Sequence, residues 1–352
     1  MSHTMVDMKK FGFLSFGHYN HAYPVQRSLH DAIELAHIAD SLGINGAYFR
    51  VHHFAPQGAA PIPLLSAIAA RTSHIEVGTG VIDMRYENPL YLAEELAALS
   101  YIADGRLAIG ISRGSPEPAL KGWEAFGYHA ADSEDSKGAG LAREKFLTFL
   151  SAIRGTPMAQ AAPADQQYPR IYAPGRPIPV LPQAPDLDRT IWWGAATHAS
   201  AEQAARDGVN LMSSTLVFET DGPSLGEVQA RQIERYRAEW DRAGWGHEPR
   251  VSVSRSVFPI VSDADTAMFG KPGSGGSESR SMLDDQQGIF GRTLVDTPDK
   301  IVEALRNDPA VMSADTLMLT IPNQAGVEVN ARILDNFATH VAPELGWEPA
   351  NR

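Results

Sequence analysis

The chain has 352 residues, of which 43% are hydrophobic, with a formal net charge of -12 and no cysteine. This length suits one large domain or two small ones, and a (β/α)8 barrel with insertions fits it as well. The acidic balance argues against a nucleic-acid binder, the lack of thiols excludes disulfides, thiolate metal sites and a cysteine nucleophile, and no apolar run reaches membrane-spanning length. Met1–Lys10 lacks the apolar core of a signal peptide, so a cytoplasmic protein with a disordered leader over residues 1–8 is expected.

Phe11–Phe16 reads as a first strand. Ser28 caps a helix running to Leu42, with Leu29, Ile33, Leu35, Ala36 and Ile38 at near-helical spacing and Gly43 at its end. Asn45–Arg50 is the second strand, and Pro63–Arg71 a short helix. Ile75–Gly80 and Leu107–Ile111 are short apolar runs separated by the helix-length segment Pro89–Ile102, the pattern of two buried parallel strands joined by a crossover helix. Ser115–Gly140 is a long loop and Leu141–Ile153 a helix. The Pro-rich stretch 156–188 has no periodicity and reads as an insertion over the barrel surface, with room for a hairpin. Alternation resumes with strand Thr190–Trp193, helix Ser200–Asp207, strand Val209–Met212, helix Leu225–Ala243 and strand Arg250–Val261. Residues 263–288 include a Gly/Ser-rich segment too polar to pack, expected as a mobile lid. A helix from Pro298 to Asn307, strand Thr316–Ile321 and helix Val327–Val341 finish the chain. Eight strands and eight helices alternate, and a (β/α)8 TIM barrel with insertions at the carboxyl-end face is the simplest closure.

In such folds ligands gather at the carboxyl ends of strands. Gly78-Thr79-Gly80 closes the third strand and Ser112-Arg113-Gly114 the fourth. Arg113 reads either as an anion ligand or as a structural ion-pair residue. Thr197-His198-Ala199-Ser200 leads into a helix, and Ser200-Ala201-Glu202-Gln203 fits a capping box. Helix amino termini favour phosphate, so Ser200 is either a cap alone or part of a phosphate site shared with Arg113. His52 and His53 follow the second strand; neighbours on a strand face opposite ways, so one is expected in the site as an acid/base candidate and the other in a structural hydrogen bond. No third ligand stands nearby, so no metal is expected. Trp192 and Trp193 either floor an aromatic ligand or belong to the core. No dinucleotide fingerprint, Walker sequence or H-E-x-x-H occurs. The residues by themselves indicate a barrel that binds a phosphate-bearing ligand across strands three to five.

The runs A-Y-F-R-V-H-H-F (47–54), L-L-S-A-I-A-A-R-T-S-H-I-E-V-G-T-G-V (64–81), N-P-L-Y-L-A-E-E-L-A-A-L-S (88–100) and G-R-L-A-I-G-I-S-R-G (105–114), in this order and spacing, resemble the bacterial luciferase-like flavin monooxygenase family. The resemblance implies a (β/α)8 homodimer with reduced FMN at the barrel mouth. Dioxygen would form a flavin C4a-peroxide that oxidises a small organic substrate. No nicotinamide motif is seen, so a separate flavin reductase would supply the reduced cofactor. By the same resemblance Arg113, flanked by Ser112 and Gly114, binds the flavin phosphate, with Thr197, His198 and Ser200 beside it. His52 stands near the reacting ring, with His53 as the second candidate. Thr79, Gly80 and Val81 support the ring, and a cis Gly80–Val81 bond is expected. Residues 263–288 match the family's mobile loop.

Three positions depart from the luciferases proper: Ser112 replaces a cysteine, Val51 a glutamate, and Ala196 an acidic residue. They weigh against long-chain aldehyde chemistry and light emission while leaving the phosphate-binding residue types intact. Two other readings stand beside the monooxygenase. One is a deazaflavin-dependent oxidoreductase transferring hydride. The other is a non-catalytic flavin-binding relative, against which the complete barrel and the His pair count.

Overall fold

The computed structural model describes residues 9–114, 117–132, 134–219, 221–283 and 286–350; the expected leader, 1–8, lies outside the described residues. Eight parallel strands form the barrel, β1 (Lys10–Ser15), β2 (Gly46–Phe49), β3 (Glu76–Asp83), β4 (Leu107–Ser112), β5 (Ile191–Ala195), β6 (Asn210–Ser213), β7 (Val251–Pro259) and β8 (Thr316–Ile321), and a further short strand, Thr293–Asp296, pairs in parallel with the end of β7. β1 pairs with β2 and β8, and β7 pairs with both β6 and β8, so the ring closes as a TIM barrel. The outer helices are α1 (Val25–Ser41), α2 (Pro61–Arg71), α3 (Pro89–Ile102), α4 (Ala139–Ile153), α5 (His198–Asp207), α6 (Leu225–Ala243), α7 (Pro298–Arg306) and α8 (Val327–His340). Among the described residues no helix is long and apolar enough to cross a membrane.

Alternation along each strand sorts the core into two sets. Phe13, Ala47, Val77, Ile109, Ile191, Leu211, Val253 and Leu317 face the helices. Leu14, Tyr48, Ala108, Trp192, Met212 and Met318 form a separate cluster inside the barrel. Trp192 is therefore core. Trp193 packs its ring 4.6 Å from Phe146 of α4 and also borders the cavity at the carboxyl end of the barrel.

Local chemistry sets the helix starts. Asn88 caps α3 by accepting from the Leu90 and Tyr91 amides, with Pro89 in the first turn. The cap expected at Ser28 is displaced: α1 begins at Val25, behind Pro24 in an extended conformation, and Ser28 is buried inside it. The proline presets the entry angle and its missing N–H costs nothing at a helix start.

The insertions lie outside the ring. The Pro-rich stretch pairs Ala159–Gln160 with Pro177–Ile178 as a small antiparallel hairpin. The segment 263–288 carries secondary structure among its described residues. It contains the helix Asp263–Phe269, and Ser279–Leu283 pairs with Gln286–Phe290, which in turn pairs with Leu216–Val217. Its glycines pack through bare backbone: Gly273 N–H donates to Val295 O at 2.8 Å, and a Cβ on Gly275 would stand 2.1 Å from Thr293 O.

The amino-terminal end of the barrel is closed by charge. Arg250 makes a two-pronged contact with Glu76, at 2.7 and 2.8 Å, and its guanidinium lies 4.8 Å from the Trp192 ring centroid. Burial acts to raise the Glu76 carboxyl, but Arg250 outweighs it and holds the group below its ordinary value. Removing one partner strands the other charge. Glu76→Ala is expected to cost about 3 kcal/mol, and the paired change Glu76→Leu with Arg250→Met less. Urea unfolding measures both; an unchanged midpoint for Glu76→Ala would contradict this role.

Candidate functional site

At the carboxyl end of the barrel lies a cavity of about 630 Å³. Every strand or its following loop contributes to its wall, among them Leu14, Arg50, Gly80, Arg113, Gly194, Met212, Ser254 and Met318. The floor is the apolar cluster inside the barrel, and small residues above it leave the space open.

One end of the cavity is suited to an anion. Arg113, Arg143, Thr197 and Ser200 all line it. Arg143 is also tied to Asp207 of α5, with one contact of 2.7 Å. The cap of α5 is Thr197, whose hydroxyl accepts from the Ser200 amide at 3.2 Å, so the expected capping box at Ser200 is not formed. The extended backbone of Thr197 explains this, because it puts Ser200 within the first turn. Ser200 Oγ donates to Thr197 O at 3.1 Å. His198 turns away from the cavity: its ring lies 3.0 Å from Asp221, and its amide donates to Glu219 at 2.8 Å.

A bare wall adjoins this end. The Gly80–Val81 bond is cis, as the resemblance implied. Gly80 and Gly194 line the cavity, and a Cβ on either would meet Leu14 at 2.9 Å or Val81 at 3.0 Å. Gly114, at φ +90, lets the chain pass Asp83, whose Oδ2 would lie 1.9 Å from any Cβ placed there. Thr79 sits behind this wall, fully buried, donating to Gly110 O at 2.8 Å in the β3–β4 seam. Ser112 Oγ accepts from the Gly114 amide at 2.8 Å and shapes the turn that presents Arg113.

The two histidines, which lie in the turn past the end of β2, separate. His52 lines the cavity. His53 stacks on Tyr86 with centroids 4.0 Å apart and meets Phe126 edge-on. Burial, then Arg50, Arg85 and His18, push His52 down to about 4; burial, then His52 and Arg85, do the same to His53. His52 is thus a neutral imidazole at neutral pH, with one donor and one acceptor nitrogen.

Sequence reasoning missed the acidic side of the cavity. Asp83 and Glu117 both line it. Arg85 bonds Asp83 through Nε at 2.9 Å and Nη2 at 2.5 Å, reaches Lys137 O at 3.2 Å, and lies 4.4 Å over the Trp123 ring. Glu117 accepts from the Tyr86 hydroxyl and stands 4.0 Å from Arg85. Burial raises both carboxyls, against the opposing effect of Arg85 on Asp83 and of Tyr86 on Glu117. The signal was the Asp83-Met84-Arg85 spacing just past the glycines, which a straight strand would have pointed elsewhere. Among the described residues no group of three or more His, Asp or Glu side chains is placed to hold a metal ion.

A family profile described as luciferase-like monooxygenase matches residues 8–268. The oxygenase component of the flavin-dependent trigonelline monooxygenase of Acinetobacter baylyi is 28% identical over 246 residues, covering 68% of this chain and 62% of that protein. Among solved structures, the oxygenating constituent of 3,6-diketocamphane monooxygenase from Pseudomonas putida, a type II Baeyer-Villiger monooxygenase in complex with FMN, superposes with a TM-score of 0.68 at 18% identity, over 96% of this chain and 98% of that one. The coenzyme F420-dependent tetrahydromethanopterin reductase of Methanopyrus kandleri does so with a TM-score of 0.64 at 14% identity, over 96% and 99%. At those identities both likenesses speak to the fold alone. The aligned segments span 41%, 62% and 64% of the lengths of three curated relatives, less than two thirds of each.

The state of His52 can be read directly. Its folded value of about 4 lies below the ordinary 6.5, so between these the unfolded chain binds more protons. Stability drawn from the neutral ring is therefore complete above about 6.5 and falls as the pH drops toward about 4. An NMR titration should place the His52 midpoint near 4, and Arg50→Ala should move it upward. A wild-type midpoint near 6.5 would contradict the burial and charge described.

Proposed function

The chain belongs to the luciferase-like monooxygenase family, and we propose that it is a flavin-dependent monooxygenase that takes reduced FMN from a separate reductase in the cytoplasm and uses dioxygen to oxidise a small organic substrate. The observation that carries this reading is the pairing of an anion end with a bare wall in one cavity. Arg113, Thr197 and Ser200 offer a guanidinium and two hydroxyls within one cavity end, which suits a phosphate monoester. Gly80, Val81 and Gly194 leave a flat face of backbone and methyl groups beside it, which suits a planar ring. The residues therefore fit the cofactor.

Reduced FMN, when bound, supplies the electrons that activate dioxygen and allow one oxygen atom to pass to the substrate. The chain's own part is to hold and to shield. Arg113, with the hydroxyls of Thr197 and Ser200, would anchor the phosphate. The apolar floor of Leu14, Met212 and Met318 keeps water from beneath the ring site. His52, neutral and facing the cavity, would donate a hydrogen bond from one ring nitrogen or accept a proton at the other. His53 would keep its neighbour in place through the Tyr86 stack.

Anaerobic titration with reduced FMN and, separately, with a deazaflavin tests the reading. Reduced FMN should bind, and admitting oxygen with a suitable substrate should consume it with product formed. Tight binding of the deazaflavin alone would favour hydride transfer. Arg113→Ala should weaken FMN by about 2–3 kcal/mol while leaving riboflavin little changed. Equal affinities of the variant and wild type for FMN would remove Arg113 from the phosphate site.

We also propose a homodimer, on the resemblance to the family and on apolar surface suited to a second copy: Tyr91, Ile102 and Leu147 stand exposed on α3 and α4. Sedimentation at micromolar concentration should show the dimer; a monomer there would refute it.

A further inference from the structure

We infer that Gln232 of α6 is a positioning residue for the cofactor phosphate: it holds the Thr197 carbonyl and so releases the Ser200 hydroxyl to the phosphate. This rests on the reading that the FMN phosphate lies at the Arg113 end. Gln232 is fully buried, as is Gln229 one turn before it on α6. A buried side-chain amide is costly unless its polar atoms are used. Those of Gln232 are used just behind the cavity wall. Its Oε1 accepts from Ser213 Oγ at 2.6 Å, and its Nε2 donates to Thr197 O at 3.0 Å and to Ala195 O at 3.4 Å. The two carbonyls fix which end of the amide is the donor. Gln229 Nε2 adds a bond to Ser214 O at 2.8 Å. Thr197, Ser213 and Ser214 line the cavity, and the two glutamines brace them from behind.

Among the described residues three donors meet at the Thr197 carbonyl: the Ala201 amide at 3.2 Å, Gln232 Nε2 at 3.0 Å and Ser200 Oγ at 3.1 Å. A carbonyl oxygen offers two lone pairs. The Ala201 amide belongs to the first turn of α5, and Gln232 is locked at its other end by Ser213. A hydroxyl proton, by contrast, rotates to suit its surroundings. Ser200 is therefore the donor that can leave. When it turns to an anion, Ala201 and Gln232 keep the carbonyl satisfied, so the turn costs little. Without Gln232 the carbonyl would retain the Ser200 proton, and the phosphate would lose a donor to a charged acceptor. Thr197 Oγ1 accepts from the Ser200 amide at 3.2 Å, which fixes the oxygen and leaves its own proton for the same anion. Gln232 thus acts on the phosphate through Thr197 and Ser200.

The test titrates the full chain with reduced FMN and with reduced riboflavin, anaerobically, by calorimetry. Wild type should bind FMN about tenfold or more tightly than riboflavin. Gln232→Met, which keeps the side-chain length and removes the amide, should weaken FMN about fivefold while riboflavin affinity stays as it was. Ser200→Ala should weaken FMN by a similar factor in wild type, but by less than about twofold in the Gln232→Met background, where the hydroxyl already stays on Thr197 O. Gln232→Glu keeps the acceptor for Ser213 Oγ and loses the donor to Thr197 O, so it should behave as Gln232→Met does. Circular dichroism and thermal unfolding check each variant. An FMN preference left whole in Gln232→Met and Gln232→Glu would overturn the inference. So would a parallel loss of FMN and riboflavin, which would reduce Gln232 to a packing role, or a Ser200→Ala effect of equal size in both backgrounds. Wild type that binds FMN no more tightly than riboflavin overturns the phosphate reading and this inference together. A wild-type preference for FMN that does not depend on Gln232 overturns this inference alone.

Discussion

The alternation of side chains along parallel strands is the constraint on which the rest of this molecule depends. Each barrel strand must send one set of residues to the helices and the other to the interior. Where the interior set is large, as at Tyr48, Trp192, Met212 and Met318, the barrel is filled. Where it is small, at Gly80, Gly194 and Ser254, the cavity opens. One irregularity then decides what the cavity contains. Between Thr79 and Ile82 β3 gains a residue relative to β4, so that Ile82 pairs with Ile111 and Asp83 with Ser112. An extra residue reverses the facing of everything after it. Ile82 accordingly joins the helix-side core, while Val81 packs with the interior cluster and Asp83 reaches the cavity.

That single bulge also explains the acidic network. Asp83, once turned inward, needs a partner, and Arg85 supplies it from two residues on. Arg85 then gathers Lys137 O, the Trp123 face and the neighbourhood of Glu117, so the loop after β4 is fastened to the end of β3. The same cluster supports His53 through Tyr86. The two carboxylates described in the cavity wall are therefore engaged by Arg85 and by the Tyr86 hydroxyl.

The barrel was legible because its evidence is local and repeated. Short apolar runs such as Leu107–Ile111 and amphipathic segments such as Leu225–Ala243 announce strand and helix by period alone. Cap positions were less so, since Ser28 and Ser200 each lie within reach of a better start, Pro24 or Thr197, and composition does not rank them. The bulge at β3 was invisible to periodicity, and with it the inward turn of Asp83. The pairing made by the Gly/Ser-rich stretch was not legible from its polarity. Gly275 packs by having no side chain, and Gln286–Phe290 pairs both with Ser279–Leu283 and with the distant Leu216–Val217. Pairing between segments so distant in the chain leaves no local mark.

The cavity divides along the same line. Its anion end and bare wall come from the ends of β3, β4 and β5 and from the first turn of α5, each a short contiguous run fixed by the ring's own hydrogen bonds. Those runs are what a family resemblance can carry, because the barrel cannot close without placing them. Other parts of the wall come from Phe218, Phe290 and Glu117, which lie on separate excursions and meet only in the folded chain. Arg50, just past the end of β2, is held to the ring in the same way, its amide donating to Ser15 O at 2.9 Å. A residue on a strand end keeps its place while the loops around it are free to vary, so the strand ends fix the frame of the cavity and the loops its outline.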